Sequence, residues 1–154
     1  MSIGLDKNDR KILKILQDDS SISNLELSKR IGLSPSACLA RTKALKESGV
    51  IKNYTIMVDE KKLGMETLAF VMVELSPVNR ESLTSFLADI KRFPQIQECY
   101  VLSGDKDYLL KIVEKDMKSY RDFIMDNLMA NPYVSNVETS VVMSVEKRSN
   151  SLVF

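Results

Sequence analysis

Between Ser23 and Tyr54 the chain reads SNLELSKRIGLSPSACLARTKALKESGVIKNY, and its caps, apolar spacing and glycines decide how the front of the molecule folds. Ser23 followed three residues later by Glu26 is the arrangement in which a hydroxyl and a carboxylate satisfy the first backbone N–H groups of a helix. Leu25, Leu27 and Ile31 supply an apolar stripe, and Gly32 ends the helix because glycine takes positive φ without strain. After the turn Gly32-Leu33-Ser34, Ser34 is a good N-cap and Pro35 a good first helical residue, which predicts a second helix from Pro35 to Glu47, closed by Gly49. Helical periodicity turns Cys38, Thr42 and Leu45 inward and Ser36, Ala37, Ala40, Lys43, Ala44 and Glu47 outward.

That outward face is small and weakly polar, which lets a helix lie deep in a major groove where a hydroxyl or an arginine reaches base edges. From Lys29 to Lys52 there are six basic residues, Lys29, Arg30, Arg41, Lys43, Lys46 and Lys52, against the single acid Glu47. A phosphate backbone attracts such a surface. Spacing alone also allows a helical hairpin with a merely solvated face.

The 154 residues suffice for one ordinary domain or two small ones, and the charge distribution favours two. Net charge is only +1, yet residues 1–56 hold ten Lys or Arg and six Asp or Glu, a net +4, while residues 57–154 carry −3. A basic front and a slightly acidic rear suit one domain for DNA and another for a different task. The two cysteines, Cys38 and Cys99, lie inside predicted elements with no ligand residue beside them and read as small buried hydrophobes of a reducing compartment. No histidine is present, which removes the usual general base and the usual zinc ligand together. The N-terminus has no signal-type apolar core and no run approaches membrane-spanning length, so a soluble cytoplasmic protein is expected.

Ahead of the opening stretch, Asp6 can cap a helix to about Asp18 with Ile12, Leu13, Ile15 and Leu16 on its buried face. Behind it, Val50 to Val58 suggests a strand or short wing, and Asp59-Glu-Lys-Lys-Leu-Gly64 a hinge; the boundary is placed between domains at 1–60 and 61–154. Periodicity then becomes extended. Leu68 to Leu75 reads as a strand, Asn79 caps a helix to about Arg92 with Leu83, Phe86, Leu87 and Ile90 inside, and Ile96–Leu102 and Asp107–Val113 read as strands. Asp116 caps a helix to about Met129, and Val134–Val145 is the last strand. The order β-α-β-β-α-β predicts an antiparallel sheet with two helices on one face, and so an α+β protein. The other face, with Phe70-Val-Met-Val73 and Ser140-Val-Val-Met143, is apolar enough to want cover, which a second copy would provide. Leu152-Val-Phe154 is too apolar for a frayed tail and is expected to dock on the sheet or a neighbour.

The opening stretch, with Leu5-Asp6-x-x-Asp9-x-x-Ile12-Leu13 before it and Gly-Val-Ile-Lys-Asn-Tyr54 after it, resembles the (winged) helix-turn-helix domain of the leucine-responsive/asparagine-responsive (Lrp/AsnC) transcription regulators. The rear half resembles that family's regulation-of-amino-acid-metabolism (RAM) domain, which is ferredoxin-like. The resemblance implies binding to double-stranded DNA, with Ser34, Ser36, Lys43 and the flanking Arg41 at the groove and Ala37 and Ala40 permitting close approach. Arg41 alternatively makes an internal ion pair. Thr42, Ala40 and Ala44 depart from the family's larger or charged residues, implying fewer phosphate contacts and modest affinity per subunit, compensated by an oligomer that binds several half-sites.

The motif Val101-Leu-Ser-Gly-Asp-Lys-Asp-Tyr108 falls where that family has its effector loop. Taken alone it suits a plain hairpin turn, or a site in which two carboxylates hold an ammonium group and backbone N–H groups take a carboxylate, the two ends of a free amino acid. The resemblance implies the second, with Gly104, Asp105, Asp107 and Tyr108 as effector contacts and Met117, Ser140, Val141 and Val142 as pocket or response positions between subunits. Tyr100 joins them only if its strand parity faces the partner; otherwise it is core. Met117, Val141 and Met143 would make an uncharged wall, so leucine or methionine is expected before asparagine or lysine, with no other cofactor. Homodimers joined into a higher oligomer, an octamer by the resemblance, complete the expectation. An enzyme is not expected: Asp105 and Asp107 lack a nucleophile and an orienting group in any recognisable pattern. An architectural DNA binder that ignores small molecules is the remaining alternative.

Overall fold

Each helix of the front part begins where the sequence offers a side-chain oxygen to orphaned backbone N–H groups. The computed structural model describes residues 4–149 and 151–154. Helix α1, Lys7–Asp18, opens on a reciprocal box in which Asp6 accepts from the Asn8 and Asp9 amides and Asp9 accepts from the Asp6 amide. Helix α2, Asn24–Ile31, is capped by Ser23 and ended by Gly32 at φ 75°, the left-handed conformation that favours glycine. Helix α3, Pro35–Glu47, is capped by Ser34. Ile12, Leu13, Leu27, Ile31, Cys38 and Leu45 form the core among these helices. Leu25, expected in that core, is 55% exposed, because its position is about 200° around α2 from Leu27.

Val50 to Val58 departs from expectation: it bends at Val50 and Ile51 and forms no strand among the described residues. A strand needs a neighbour to satisfy its amides, and the described chain offers none there.

The rear part contains β1 (Thr67–Leu75), α4 (Arg80–Ile90), β2 (Ile96–Val101), β3 (Tyr108–Glu114), α5 (Met117–Phe123) and β4 (Val134–Val141). All neighbouring strands are antiparallel in the order β2-β3-β1-β4. The last strand ends at Val141 rather than Val145, and α5 runs on through a wider turn at Ile124–Leu128, where the Met129 amide donates to the Ile124 carbonyl. Ala69, Val71 and Val73 of β1 and Leu110 and Ile112 of β3 pack with Phe86 and Ile90 of α4 and with Tyr120 and Phe123 of α5. Both helices therefore cover one face of the sheet.

The two compact units divide differently from the expected domains 1–60 and 61–154. One unit ends at Met57 and takes in Lys147–Phe154; the other is Val58–Glu146. The tail joins the front because Gln17 of α1 bonds Leu152 on both sides, accepting from its amide at 2.7 Å and donating to its carbonyl at 3.3 Å. Phe154 adds its ring to the Arg10 guanidinium at 6.0 Å. The tail, expected on the sheet or a neighbour, instead meets α1, through backbone bonds that leave Leu152 and Val153 exposed.

Candidate nucleic-acid interface and ligand site

Helix α3 buries Cys38 and Leu45 completely or nearly so, and this leaves Ser34, Ser36, Ala40 and Lys43 exposed and Ala37 half-buried. The Ser34 hydroxyl accepts from the Ala37 amide and lies 3.2 Å from that of Ser36, so two hydroxyls cluster at the positive end of the helix. Lys43 is loosely paired with Glu47 at 3.6 Å, an exposed bridge that a phosphate can replace. Lys29, Lys46 and Lys52 are also exposed, and the Lys46 ammonium lies 6.0 Å from the Tyr54 ring centre.

Arg41 does not belong to this surface. Its guanidinium donates to Asp6 at 2.6 Å and to Asp9 at 2.9 Å, which is the internal ion pair left open above. The Asp9 amide and the Arg41 guanidinium hold the Asp6 carboxyl below its ordinary range, and the two aspartates raise Arg41 in turn. The two aspartates already occupied by the α1 cap thus fix α3 against α1. Leu39, absent from the sequence reading, is 58% exposed on α3.

In the rear unit, the turn between β2 and β3 is tied down at its second end. The Asp107 amide donates to the Val73 carbonyl at 3.0 Å, and the Asp107 carboxylate accepts from the Leu75 amide at 2.7 Å. Lys106, which sequence reasoning passed over, bonds Glu74 and reaches Glu138 at 3.5 Å, and Asn136 also donates to Glu74. Lys106 and Asn136 lower Glu74 from the usual carboxylate range, while Glu74 raises Lys106. Gly104, at φ 151°, and Asp105 are exposed, and Asp105 makes no ion pair among the described residues. The turn therefore offers one free carboxylate; Asp107 spends part of its own on the scaffold.

Tyr108 is corrected by the structure. It is 2% exposed and packs against Phe86 with ring centres 4.7 Å apart and planes tilted by 40°, so its ring fills the helix-side core rather than a pocket at the turn. Burial pushes its hydroxyl pKa up.

Strand parity sorts the remaining positions. Tyr100 pairs with Leu109, on the face away from the helices, and bonds Glu98. Ser140 pairs with Phe70 on that same open face. Val141 has the helix-side parity of Thr139, whose hydroxyl meets Tyr120 at 2.7 Å; Met117, half-exposed, lies one turn before Tyr120 on α5. The uncharged wall expected from Met117, Val141 and Met143 is not assembled on one surface, since Met143 is 97% exposed beyond the end of β4. Val142 donates its amide to the Leu68 carbonyl. Tyr100 and Ser140 sit on opposite edges of the sheet, three strand spacings across and two residues along, roughly 16 Å apart.

Comparison with known proteins gives these surfaces a context. Residues 68–152 match the family described as Lrp/AsnC ligand binding domain, and residues 5–52 match that described as winged helix-turn-helix DNA-binding. The chain is 63% identical over 152 residues to transcriptional regulator AzlB of Bacillus subtilis (strain 168), covering 99% of this chain and 97% of that one. It is 43% identical over 149 residues to the leucine-responsive regulatory protein of Salmonella typhimurium, covering 97% and 91%. Among solved structures, transcriptional regulator NMB0573 of Neisseria meningitidis in complex with L-Met superposes with a TM-score of 0.93 at 33% identity, over 97% of this chain and 96% of that one.

Proposed function

The chain belongs to the Lrp/AsnC family of DNA-binding transcription regulators with an amino-acid ligand-binding domain, which are not enzymes, and from that premise we propose that its own effector is an apolar amino acid, methionine or leucine, held between two copies of the chain. The observation that carries the reading is the register of the sheet. Tyr100 and Ser140 share the open face but stand on opposite edges, farther apart than one amino acid spans, so one chain cannot close a pocket from both. A second sheet laid over that face brings them within reach of one ligand. Leu68, Phe70 and Met72 of β1 and Leu109 of β3 share the same parity and give the face its apolar character. The free Asp105 carboxylate beside Gly104 suits an ammonium group at the rim.

The proposal draws support from the L-Met complex of the Neisseria meningitidis relative and from relatives whose names include leucine responsiveness. On the DNA side, the face of α3 with exposed Ser34, Ser36, Ala40 and Lys43 and half-buried Ala37 enters the major groove, and dimers joined into a larger assembly present several such helices at once. Effector binding then favours one assembly, or one spacing of DNA-binding heads, over another.

Calorimetry of the full chain with each of the twenty amino acids, paired with light scattering, tests this. Binding of methionine or leucine with a change in assembly is the expected result. Tight binding of a charged amino acid with no response to either apolar one would refute the effector assignment. DNA affinity and assembly size unchanged by any amino acid would leave an architectural DNA binder instead.

A further inference from the structure

We infer that Leu39 reads thymine methyl groups in the major groove and so adds an apolar element to sequence recognition; the inference rests on the groove assignment of α3. Ser36, Leu39, Ala40 and Lys43 follow i, i+3, i+4, i+7 and share one stripe of the helix. All four are exposed, Leu39 at 58%, while the apolar residues α3 contributes to the core, Cys38 and Leu45, are at 0% and 4%. The stripe thus presents a hydroxyl, an isobutyl group, a methyl group and an ammonium in one row.

The neighbourhood is cationic rather than apolar. Lys43 and Lys46 lie within a turn or two on α3, and Lys29 and Arg30 end α2, so a polyanion is the surface's natural occupant. An apolar protein surface has little to gain from such a setting. In the major groove only thymine displays an apolar group, the C5 methyl; the other base edges present donors and acceptors whose desolvation against a leucine is unfavourable. Leu39 therefore favours thymine both by what it gains there and by what it loses elsewhere. Ala40 beside it adds no bulk to hold the helix off the bases.

Replacing thymine by deoxyuridine removes that methyl and leaves Watson–Crick pairing intact. The probe is a duplex selected by the full-length protein from a random-sequence pool, synthesised once with thymine and once with deoxyuridine throughout. Affinity for both is measured by fluorescence anisotropy with wild type, L39A, L39M and K43A. Wild type should bind the deoxyuridine duplex roughly fourfold more weakly per contacted methyl, the factor that burying one methylene-sized group gives. L39A should bind both duplexes equally, and L39M, which keeps an apolar reach, should retain most of the wild-type ratio. An equal thymine-to-deoxyuridine ratio in wild type and L39A overturns the inference. If K43A still weakens binding in that case, only the Leu39 role is lost; if K43A also has no effect, the groove assignment fails with it.

Discussion

Two basic residues two positions apart on α3 have opposite employments, and the difference is electrostatic. Arg41 is held by two carboxylates that the α1 cap has already placed, whereas Lys43 faces solvent with only a 3.6 Å partner. Substituting Arg41→Gln should lower the melting temperature of the front unit by a few degrees while leaving the slope of DNA affinity against log salt unchanged. Substituting Lys43→Ala should do the reverse, reducing that slope by about one with little effect on melting. Salt titrations of the two variants, with thermal melts in parallel, check both. The acid dependence has a defined sign. Asp6 has its pKa lowered on folding, so its contribution is present above the ordinary aspartate range and is lost as pH falls through the depressed value. Arg41→Gln should therefore shrink the difference in stability between neutral and acid solution.

At the scale of elements, the turn between β2 and β3 works as a clasp. Asp107 pins its second end to β1, and Lys106 bridges Glu74 of β1 and Glu138 of β4, which leaves Gly104 and Asp105 projecting from a fixed base. Lys106→Met should loosen that base and weaken effector binding a few-fold without abolishing it, as titration calorimetry would register. Glu74 is lowered and Lys106 raised, so the pair is complete above the ordinary glutamate range and below the ordinary lysine range. Effector affinity should accordingly be flat across neutral pH and weaken in acid as Glu74 protonates. Caps and periodicity made α1 to α3 legible from sequence, because Asp6, Ser23, Ser34 and Gly32 act on their own neighbours in the chain. The β-α-β-β-α-β order was legible for the same reason. Tyr108 and Lys106 were not. A ring in a motif looks the same whether it meets Phe86 or a ligand, and the partners of Lys106 are 32 residues away on both sides in sequence, at Glu74 and Glu138. Strand parity, which separates Ser140 from Val141, depends on register that no single strand specifies.

The chain leaves the front unit after Met57 and returns to it at Lys147, so its two units are joined by two covalent crossings. Truncation after Glu146 removes the Gln17–Leu152 bonds and the Phe154 ring from Arg10, and should destabilise α1 by about 1 kcal/mol, the order of one or two exposed hydrogen bonds. Hydrogen exchange at α1 amides would reveal it, and Gln17→Ala should reproduce part of the effect. The larger question for the whole molecule is what covers the open face of the sheet. Phe70 stands near its middle at 37% exposure, flanked across the strands by Lys111 and Ser140. Placing a carboxylate there, Phe70→Glu, should leave the single chain folded, because the position is open to solvent in one copy and the helix-side core is untouched. A second sheet could then cover the face only by burying that carboxylate, at a cost that apolar contact does not offset. If copies join through this face, light scattering should report a monomer for the variant, amino-acid binding should disappear with the second half of the pocket, and DNA should be held only with the weak affinity of a single head. A Phe70→Glu protein that still associates and still binds methionine or leucine would place the joint, and the pocket with it, elsewhere on the molecule.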